Sequence, residues 1–410
     1  MHPSSCSTSP APDDARNSAT TRCQACGGTE LRRFYRLSGI PVHSCLLVES
    51  RAEALAFPKG DLELAFCERC GFIGNVRFDP TVHDYSPDYE ETQGFSPRFR
   101  RFLDELAQDQ VRRHGLETKT VLEIGCGKGE FLVTLCEHGA ARGIGVDPAY
   151  RPERTVSPAA ERTTFLREFY GPDHATLPAD HVVCRHTLEH IQDVLAFLEL
   201  LRRGLASRPG ATLFFELPDM ERILVERAFW DIYYEHCSYF TAGSLARLFR
   251  RAGFDVLRLW KAYDGQYLML EARPAGEATL PRLSEEDDLE RTRSQVAAFA
   301  TSIAEQLQRL RAEVATWRRE GRKVVLWGSG SKATGYLTTL SLGEEIAAVV
   351  DINPHKHGKF VAGTGHAIVA PASLVEFKPD LVVVMNPVYI EEIGADLRRL
   401  GLAPQVSALA

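Results

Sequence analysis

The chain has 410 residues, a formal net charge of −7 and 25% charged residues. This length exceeds what one hydrophobic core usually serves and predicts two or three domains. The acidic balance argues against a nucleic-acid partner, and no apolar run approaches the roughly 20 residues that a membrane-spanning helix needs. Residues 1–20 are rich in Ser, Ala, Pro and Thr and lack an apolar signal segment, so we expect a disordered tail and a cytoplasmic protein.

Two C-x-x-C pairs near the start of the chain predict a zinc-binding domain over residues 21–98. The predicted tetrahedral ligands are the four thiolates of Cys23, Cys26, Cys67 and Cys70. His43 and Cys45 lie between the pairs and are alternative ligands. A redox C-x-x-C or a set of plain buried thiols is the competing interpretation.

A glycine-rich turn follows a predicted strand at residues 120–124 and precedes a predicted helix at 130–137. This order places backbone N–H groups and a helix N-terminus against a nucleotide-like ligand. A dinucleotide fingerprint would need a small residue at position 130, where the chain has Glu130. The pattern instead resembles the first motif of class I S-adenosylmethionine (SAM) methyltransferases, and Asp147 follows 18 residues after its last glycine, placed to bind a ribose diol. The motif residues are Glu123, Gly125, Gly127 and Gly129.

Strand-like and helix-like segments alternate over residues 99–275, as in a doubly wound parallel sheet. A helix is expected from Pro97 to about residue 114, and further helices at 191–204 and 242–252. The predicted strands are 120–124, 143–147, 181–185 and 211–217, with a terminal hairpin at 254–260 and 267–273.

Residues 276–320 carry a heptad-like apolar row that predicts one long linking helix. Ser284, followed by Asp287, is its expected N-cap. The apolar row either packs across the lobes of one chain or pairs with a second copy, so we expect a monomer or a homodimer.

Residues 321–410 predict a second Rossmann-like α/β domain, with strands at 323–327, 346–351 and 380–385. The turn from Gly328 to Ala333 satisfies the dinucleotide pattern G-x-G-x-x-A, and Asp351 follows 18 residues after it. This lobe could bind a dinucleotide, part of the substrate, or nothing.

Two polar segments are candidates for chemistry. The first runs from Trp230 to Phe240 and contains His236, whose usual side-chain pKa of about 6.5 suits proton abstraction. The adjacent Glu235 could orient the imidazole, and Tyr233 could polarise a carbonyl. Arg185 and His190 come at and just after the end of a predicted strand, which directs them to the cofactor crevice. The competing interpretation is a polar surface turn.

Together these segments resemble the three-domain SAM-dependent sugar C-methyltransferases of deoxysugar biosynthesis. The resemblance spans residues 22–400 and includes the four-cysteine domain, the glycine motif, Tyr-x-Glu-His at 233–236, and the C-terminal segments 327–333 and 351–359. Three segments differ from the family pattern: 264–268, 363–368 and 385–387. All three are expected near the substrate.

The resemblance implies an α/β fold with a small N-terminal zinc-binding domain, a class I SAM methyltransferase domain, a long linking helix and a second Rossmann-like domain. It implies a nucleotide-linked 4-keto sugar as substrate, with His236 as the base that generates an enolate for methylation. Glu235 and Tyr233 would support this base, and Tyr89 and His190 would be further active-site residues.

Three other functions stay open. A methyltransferase of the same architecture could act on an oxygen or nitrogen of another natural-product intermediate. A non-catalytic binding protein could retain the zinc domain and a nucleotide lobe. A redox role through the turn at 328–333 is also conceivable.

Overall fold

The computed structural model describes residues 21–82, 88–276 and 279–409. The predicted tail, residues 1–20, lies outside the described residues. The strands form an antiparallel sheet, a mixed sheet and a parallel sheet, which we assign to an N-terminal lobe (21–96), a central lobe (97–276) and a C-terminal lobe (321–409).

The N-terminal lobe is built on the antiparallel sheet, in the order β1-β2-β3-β9. Its elements are β1 (Leu31–Pro41), α1 (Arg51–Leu55), β2 (Lys59–Cys67) and β3 (Ile73–Asn75), with β9 (Ser238–Tyr239) contributed from the central lobe. The edge strand therefore comes from a segment about 160 residues later in the chain, directly after His236. This pairing brings the N-terminal lobe against the segment that carries the candidate base.

The central lobe contains the mixed sheet, in the order β10-β11-β8-β7-β4-β5-β6, in which β11 runs in the direction opposite to that of the other described strands. Its remaining strands are β4 (Thr120–Ile124), β5 (Arg142–Val146), β6 (Thr163–Leu166), β7 (His181–Arg185), β8 (Thr212–Pro218), β10 (Phe254–Ala262) and β11 (Tyr267–Pro274). Its helices are α2 (Pro97–His114), α3 (Glu130–Glu137), α4 (Val194–Gly204), α5 (Met220–Glu226) and α6 (Ala242–Arg251). The order confirms the predicted α/β fold.

The C-terminal lobe contains the parallel sheet, in the order β14-β13-β12-β15-β16. Its elements are β12 (Val324–Trp327), α8 (Ser331–Leu340), β13 (Ala348–Val350), β14 (Ile368–Val369), α9 (Leu374–Phe377), β15 (Leu381–Val384), α10 (Ile390–Arg399) and β16 (Gln405–Ala408). Short valine-rich strands buried on both faces are typical of such a parallel sheet.

The linking helix α7 (Leu289–Arg319) packs its apolar row within the chain, against β1, α5 and α8. It begins later than predicted, because Ser284 lies in a short 3-10 turn and Asp288 occupies the N-cap. The Asp288 carboxylate accepts a hydrogen bond from the Gly243 backbone at 2.8 Å instead of capping its own helix. Among the described residues, no helix is both long enough and apolar enough to cross a membrane.

Candidate active site

A cavity of about 670 Å³ lies where the three lobes meet. It opens at the carboxyl ends of β4, β5, β7 and β8, where ligands bind in open α/β sheets, and the C-terminal lobe forms its opposite wall. The sequence-predicted residues His236, Tyr233, His190 and Tyr89 line it together with the glycine turn after β4. Glu235 is the predicted catalytic residue that is absent from its walls.

The turn after β4 has a backbone that only glycine adopts without strain. Gly127 has φ of +52°, and Gly129 has φ of +81°. A Cβ atom at Gly127 would lie 2.7 Å from Oε1 of Glu91, and one at Gly129 would lie 2.7 Å from the ring of Phe165. Glycine at these positions therefore avoids both collisions, and Gly125 and Gly127 border the cavity.

Asp147 lies at the end of β5, on the wall of the same cavity. Its Oδ2 accepts a hydrogen bond from the Gly127 N–H at 2.8 Å, and its Oδ1 accepts one from the Ala149 N–H at 2.7 Å. The carboxylate therefore fixes the shape of the glycine turn. Since a carboxylate offers about four acceptor positions, it can still accept from the hydroxyls of a ribose.

Glu123 is buried at the end of β4 and borders the cavity. Burial raises the pKa of its carboxyl to about 8, although the charge of Arg185 acts in the opposite direction. Its Oε2 has no hydrogen-bond partner among the described residues. A buried carboxyl with an unused oxygen fits a cationic ligand such as the ammonium and sulfonium of SAM.

Arg185 is held by a residue that the sequence reasoning missed. Its guanidinium donates to both oxygens of Glu216 at 2.8 and 2.9 Å and lies 4.3 Å over the ring of Phe131. Burial acts to raise the pKa of Glu216, but the charges of Arg185 and His186 outweigh it and hold that pKa at about 2. A glutamate in the otherwise apolar strand 212–218 was the signal that could have revealed it.

The candidate base His236 lies in a cluster of rings. Its ring centroid is 4.7 Å from that of His190 and 4.2 Å from that of Tyr233. Burial lowers the pKa of His236 well below its usual value, and the positive charges of His190 and His186 lower it further. Burial raises the pKa of Tyr233 well above its usual value, so the phenol stays protonated and can donate to an oxyanion.

Glu235 points toward the N-terminal lobe. Its Oε2 bonds to Nδ1 of His43 at 3.0 Å, and its Oε1 accepts from Ser44 and from the Tyr89 hydroxyl, the latter at 3.3 Å. Burial acts to raise the pKa of Glu235, but the bond from His43 and the charge of His190 outweigh it and lower that pKa. Through these bonds Glu235 connects the central lobe to the N-terminal lobe.

The C-terminal wall of the cavity carries a second glycine turn, between β12 and α8. The N–H and hydroxyl of Ser329 donate to Asp351 at 2.9 and 2.6 Å, as the Gly127 N–H does to Asp147. Lys332 lines the cavity and pairs with Asp231 of the central lobe. Two of the segments that differ from the family pattern also meet here, because the amides of Gln266 and Asn386 bond to each other at 2.9 and 3.1 Å.

The third differing segment, 363–368, was expected near the substrate, and this expectation is wrong. A Cβ atom at Gly363 would collide with Pro41 of β1, and His366 bonds to Thr364 and to the Gly343 carbonyl. Neither residue lines the cavity. This segment packs the C-terminal lobe onto the N-terminal lobe.

The four predicted cysteines of the N-terminal lobe lie together, with all four Sγ atoms within 4.8 Å of one another. Cys23 and Cys70 are 3.6 Å apart at Sγ, and so are Cys26 and Cys67. A disulfide would need about 2.05 Å, whereas a tetrahedron with Zn–S of about 2.3 Å has edges near 3.8 Å. The alternative ligands are elsewhere: His43 bonds to Glu235, and Cys45 contacts Ser331 at 3.1 Å.

Comparisons with known proteins agree with this architecture. Residues 97–259 match the family model described as a methyltransferase domain, and residues 270–402 match the C-methyltransferase C-terminal domain. The chain therefore has the domains of a SAM-dependent methyltransferase, with the C-methyltransferase C-terminal domain behind the methyltransferase domain.

Among individual proteins, the chain is similar to the C-methyltransferase NovU of Streptomyces niveus, with 27% identity over 394 residues that cover 90% of each chain. Solved structures of methyltransferases are similar to less than half of this chain. The 1,6-didemethyltoxoflavin-N1-methyltransferase of Burkholderia thailandensis is 20% identical, covering 44% of this chain and 82% of its own, with a TM-score of 0.34. Magnesium protoporphyrin IX methyltransferase of Synechocystis is 19% identical, covering 43% and 84%, with a TM-score of 0.33.

Proposed function

We propose that the chain is a C-methyltransferase that methylates the carbon next to the ketone of a nucleotide-linked keto-deoxysugar in natural-product sugar biosynthesis. The observation that carries the proposal is the shared cavity, which is bordered by the glycine turn of the central lobe, by His236, and by the glycine turn of the C-terminal lobe. The matched C-terminal domain and the similarity to NovU support carbon as the methyl acceptor.

The residues around the first glycine turn fit SAM, which supplies an electrophilic methyl group when bound. Glu123 would face its positive charge, the turn from Gly125 to Gly129 would lie along it, and Asp147 would accept from its ribose. Arg185 fixes the neighbouring wall through its bonds to Glu216.

A carbon next to a ketone becomes a nucleophile only after it loses a proton. We assign this step to His236: a ring nitrogen takes the proton, and the electron pair of the C–H bond moves into the enolate and onto the ketone oxygen. Tyr233, which stays protonated, donates to that oxygen, and His190 and Tyr89 close the cavity around it. The enolate carbon then accepts the methyl group.

The C-terminal wall suits the nucleotide end of the substrate. Lys332 and Lys356 line this wall beside the first turn of α8. Burial acts to lower the pKa of Lys356, but the charge of Asp351 outweighs it and raises that pKa, so the ammonium stays charged. Cations and backbone N–H groups at a helix start are complementary to a diphosphate.

The test is hydrogen exchange at the carbon next to the ketone, measured in D₂O with a panel of nucleoside diphosphate-linked 4-keto-6-deoxyhexoses. We expect exchange with one member of the panel, and an increase in product mass by one methylene when SAM is added. His236→Asn should slow both by about 10²- to 10⁴-fold, the usual contribution of a positioned base. His138→Asn, at the far end of α3, is the control. Methylation by His236→Asn at the wild-type rate would refute the base assignment.

We also propose that the four-cysteine cluster binds one structural zinc ion, because its thiols are spaced for a tetrahedron and do not border the cavity. Zinc would hold the N-terminal lobe against α6, since Cys23, Cys26 and Cys67 belong to the same apolar cluster as Leu245 and Phe249. Metal analysis should find one zinc per chain, lost in Cys26→Ser together with a lower unfolding temperature. Cys136→Ser, at a buried thiol of α3, should keep the metal, and equal zinc in both variants would contradict the assignment.

A further inference from the structure

Glu189 is a buried acid that has no part in the proton abstraction or the methyl transfer proposed for this site. It is 2% exposed and lies in the short turn between β7 and α4. Neither of its carboxylate oxygens has a hydrogen-bond partner among the described residues. Its ion-pair partner is His186, whose Nδ1 lies 3.5 Å from Oε1. Such an acid is costly to keep buried, which points to a function.

The position of Glu189 suggests what that function is. A ligand atom from each of Glu189, His190 and His236 lies within 4.8 Å of the other two. Nδ1 of His236 is likewise buried and has no hydrogen-bond partner in the described part of the chain. The backbone carbonyl of Glu189 lies 3.7 Å from the Cys237 thiol, so the two segments are joined next to the base.

Both oxygens of Glu235, the acid that precedes the base in sequence, bond to His43, Ser44 and Tyr89, and no hydrogen bond among the described residues joins it to the His236 ring. The charged groups that lower the pKa of His236 are His190, His186 and Lys332. The groups that face or electrostatically influence the imidazole are His186, His190, Lys332, Tyr233, Tyr239 and Glu189.

We propose that Glu189 is the positioning residue for His236: its carboxylate holds the ring and balances the charge of the imidazolium that forms during catalysis. The proposal rests on the proposed function. When the C–H bond of the substrate breaks, its proton goes to a His236 nitrogen and its electron pair stays on the substrate as the enolate. The new positive charge then lies beside the negative charge of Glu189, and the proton leaves to solvent after methyl transfer.

The test is the pH profile of hydrogen exchange, with the keto sugar that the wild-type enzyme exchanges as the probe. In Glu189→Gln, we expect the plateau rate to fall about 10- to 100-fold. The acid limb should move by about one unit to lower pH, because the loss of the anion disfavours the imidazolium. Glu189→Asp keeps the charge, so its plateau rate and the position of its acid limb should lie between those of the wild type and Glu189→Gln. It serves as the test variant if Glu189→Gln does not fold. Glu376→Gln, at an exposed acid of α9 that does not line the cavity, should leave the profile unchanged.

The outcomes separate the two proposals. If His236→Asn exchanges like the wild type, the proposed base is wrong. If His236→Asn abolishes exchange while Glu189→Gln leaves the acid limb in place, only the role of Glu189 is refuted. A second metal ion per chain that disappears in Glu189→Gln would also refute it, because the three side chains would then be metal ligands.

Discussion

Glu123 and Glu216 show how hydrogen-bonded cations decide the state of a buried carboxyl. Both lie in strands of the central sheet; Glu123 borders the cavity, and Glu216 bonds to Arg185, which lines it. Yet the pKa of Glu123 is raised to about 8 and that of Glu216 is lowered to about 2. Burial acts to raise both pKa values. Glu216 has two bonds from Arg185, whereas Glu123 has an oxygen without a partner among the described residues. Glu123 is therefore the acid that a cationic ligand can ionise.

We predict that SAM binding releases a proton from Glu123. With a pKa of about 8, roughly 0.9 of the carboxyl is protonated at pH 7, and a positive ligand beside it lowers the pKa. SAM affinity should therefore rise as the pH rises from 6 to 8. Calorimetry in buffers of different ionisation enthalpy measures the released proton directly.

Glu123→Gln is the control for this prediction, because an amide has no proton to release in this range. Its heat of SAM binding should not depend on the buffer, and its affinity should stay constant with pH. Equal heats in both buffers for the wild-type enzyme would contradict the ionisation of Glu123.

At the scale of elements, the two glycine turns have the same hydrogen bond to an acid but differ in how closely side chains surround them. In each, the acid at the end of the next strand holds the turn: Asp147 bonds to the Gly127 N–H at 2.8 Å, and Asp351 bonds to the Ser329 N–H at 2.9 Å. A Cβ atom at Gly127 would meet Glu91, whereas one at Gly330 would meet nothing within 4 Å. Gly127 therefore has no room for a side chain, whereas Gly330 has; in the second turn the position that needs glycine is Gly328, at φ of +109°.

We predict that Gly127→Ala weakens SAM binding by about 10- to 100-fold. The left-handed backbone at φ +52° is strained for alanine, and the methyl group would displace Glu91 from the cavity wall. Gly330→Ala is the matched control in the second turn and should leave SAM affinity unchanged. Calorimetric titration of both variants makes the comparison, and equal weakening would place SAM elsewhere.

At the scale of the whole molecule, the features that could be predicted from the sequence are those that local patterns encode. The strands at 120–124 and 181–185 have the predicted bounds, because apolar runs ended by glycine or charge are local signals. The short strands β6, β14 and β16 lack such runs and were missed. The pairing of β9 with β3, and the bonds from His43 and Ser44 to Glu235, join residues more than 150 positions apart. No spacing rule gives such contacts, so the role of Glu235 as a connector between lobes was visible only in the structure.

At the same scale, a histidine remote from the cavity should contribute less to stability as the pH falls. His181 is fully buried, its ring centroid lies 4.6 Å from that of His114, and Nδ1 bonds to Thr212 at 2.7 Å. Burial, followed by the charges of His114 and Lys119, lowers its pKa well below the usual value. In the unfolded chain this histidine takes up a proton near pH 6.5, and in the folded chain it does not. The unfolded state therefore binds more protons below that pH.

We therefore predict that the contribution of His181 to the free energy of unfolding is constant above about pH 7 and falls below pH 6.5 by up to about 1.4 kcal/mol per pH unit. Urea denaturation between pH 7.5 and 5.5 measures this slope. His181→Asn, which can keep the bond to Thr212, should flatten the slope even if it lowers stability at pH 7.5. His355→Asn, at an exposed position, should keep the wild-type slope. If the free energy of unfolding of His181→Asn falls with pH as steeply as that of the wild type, His181 does not cause the slope. His181 would then carry its proton in the folded protein too.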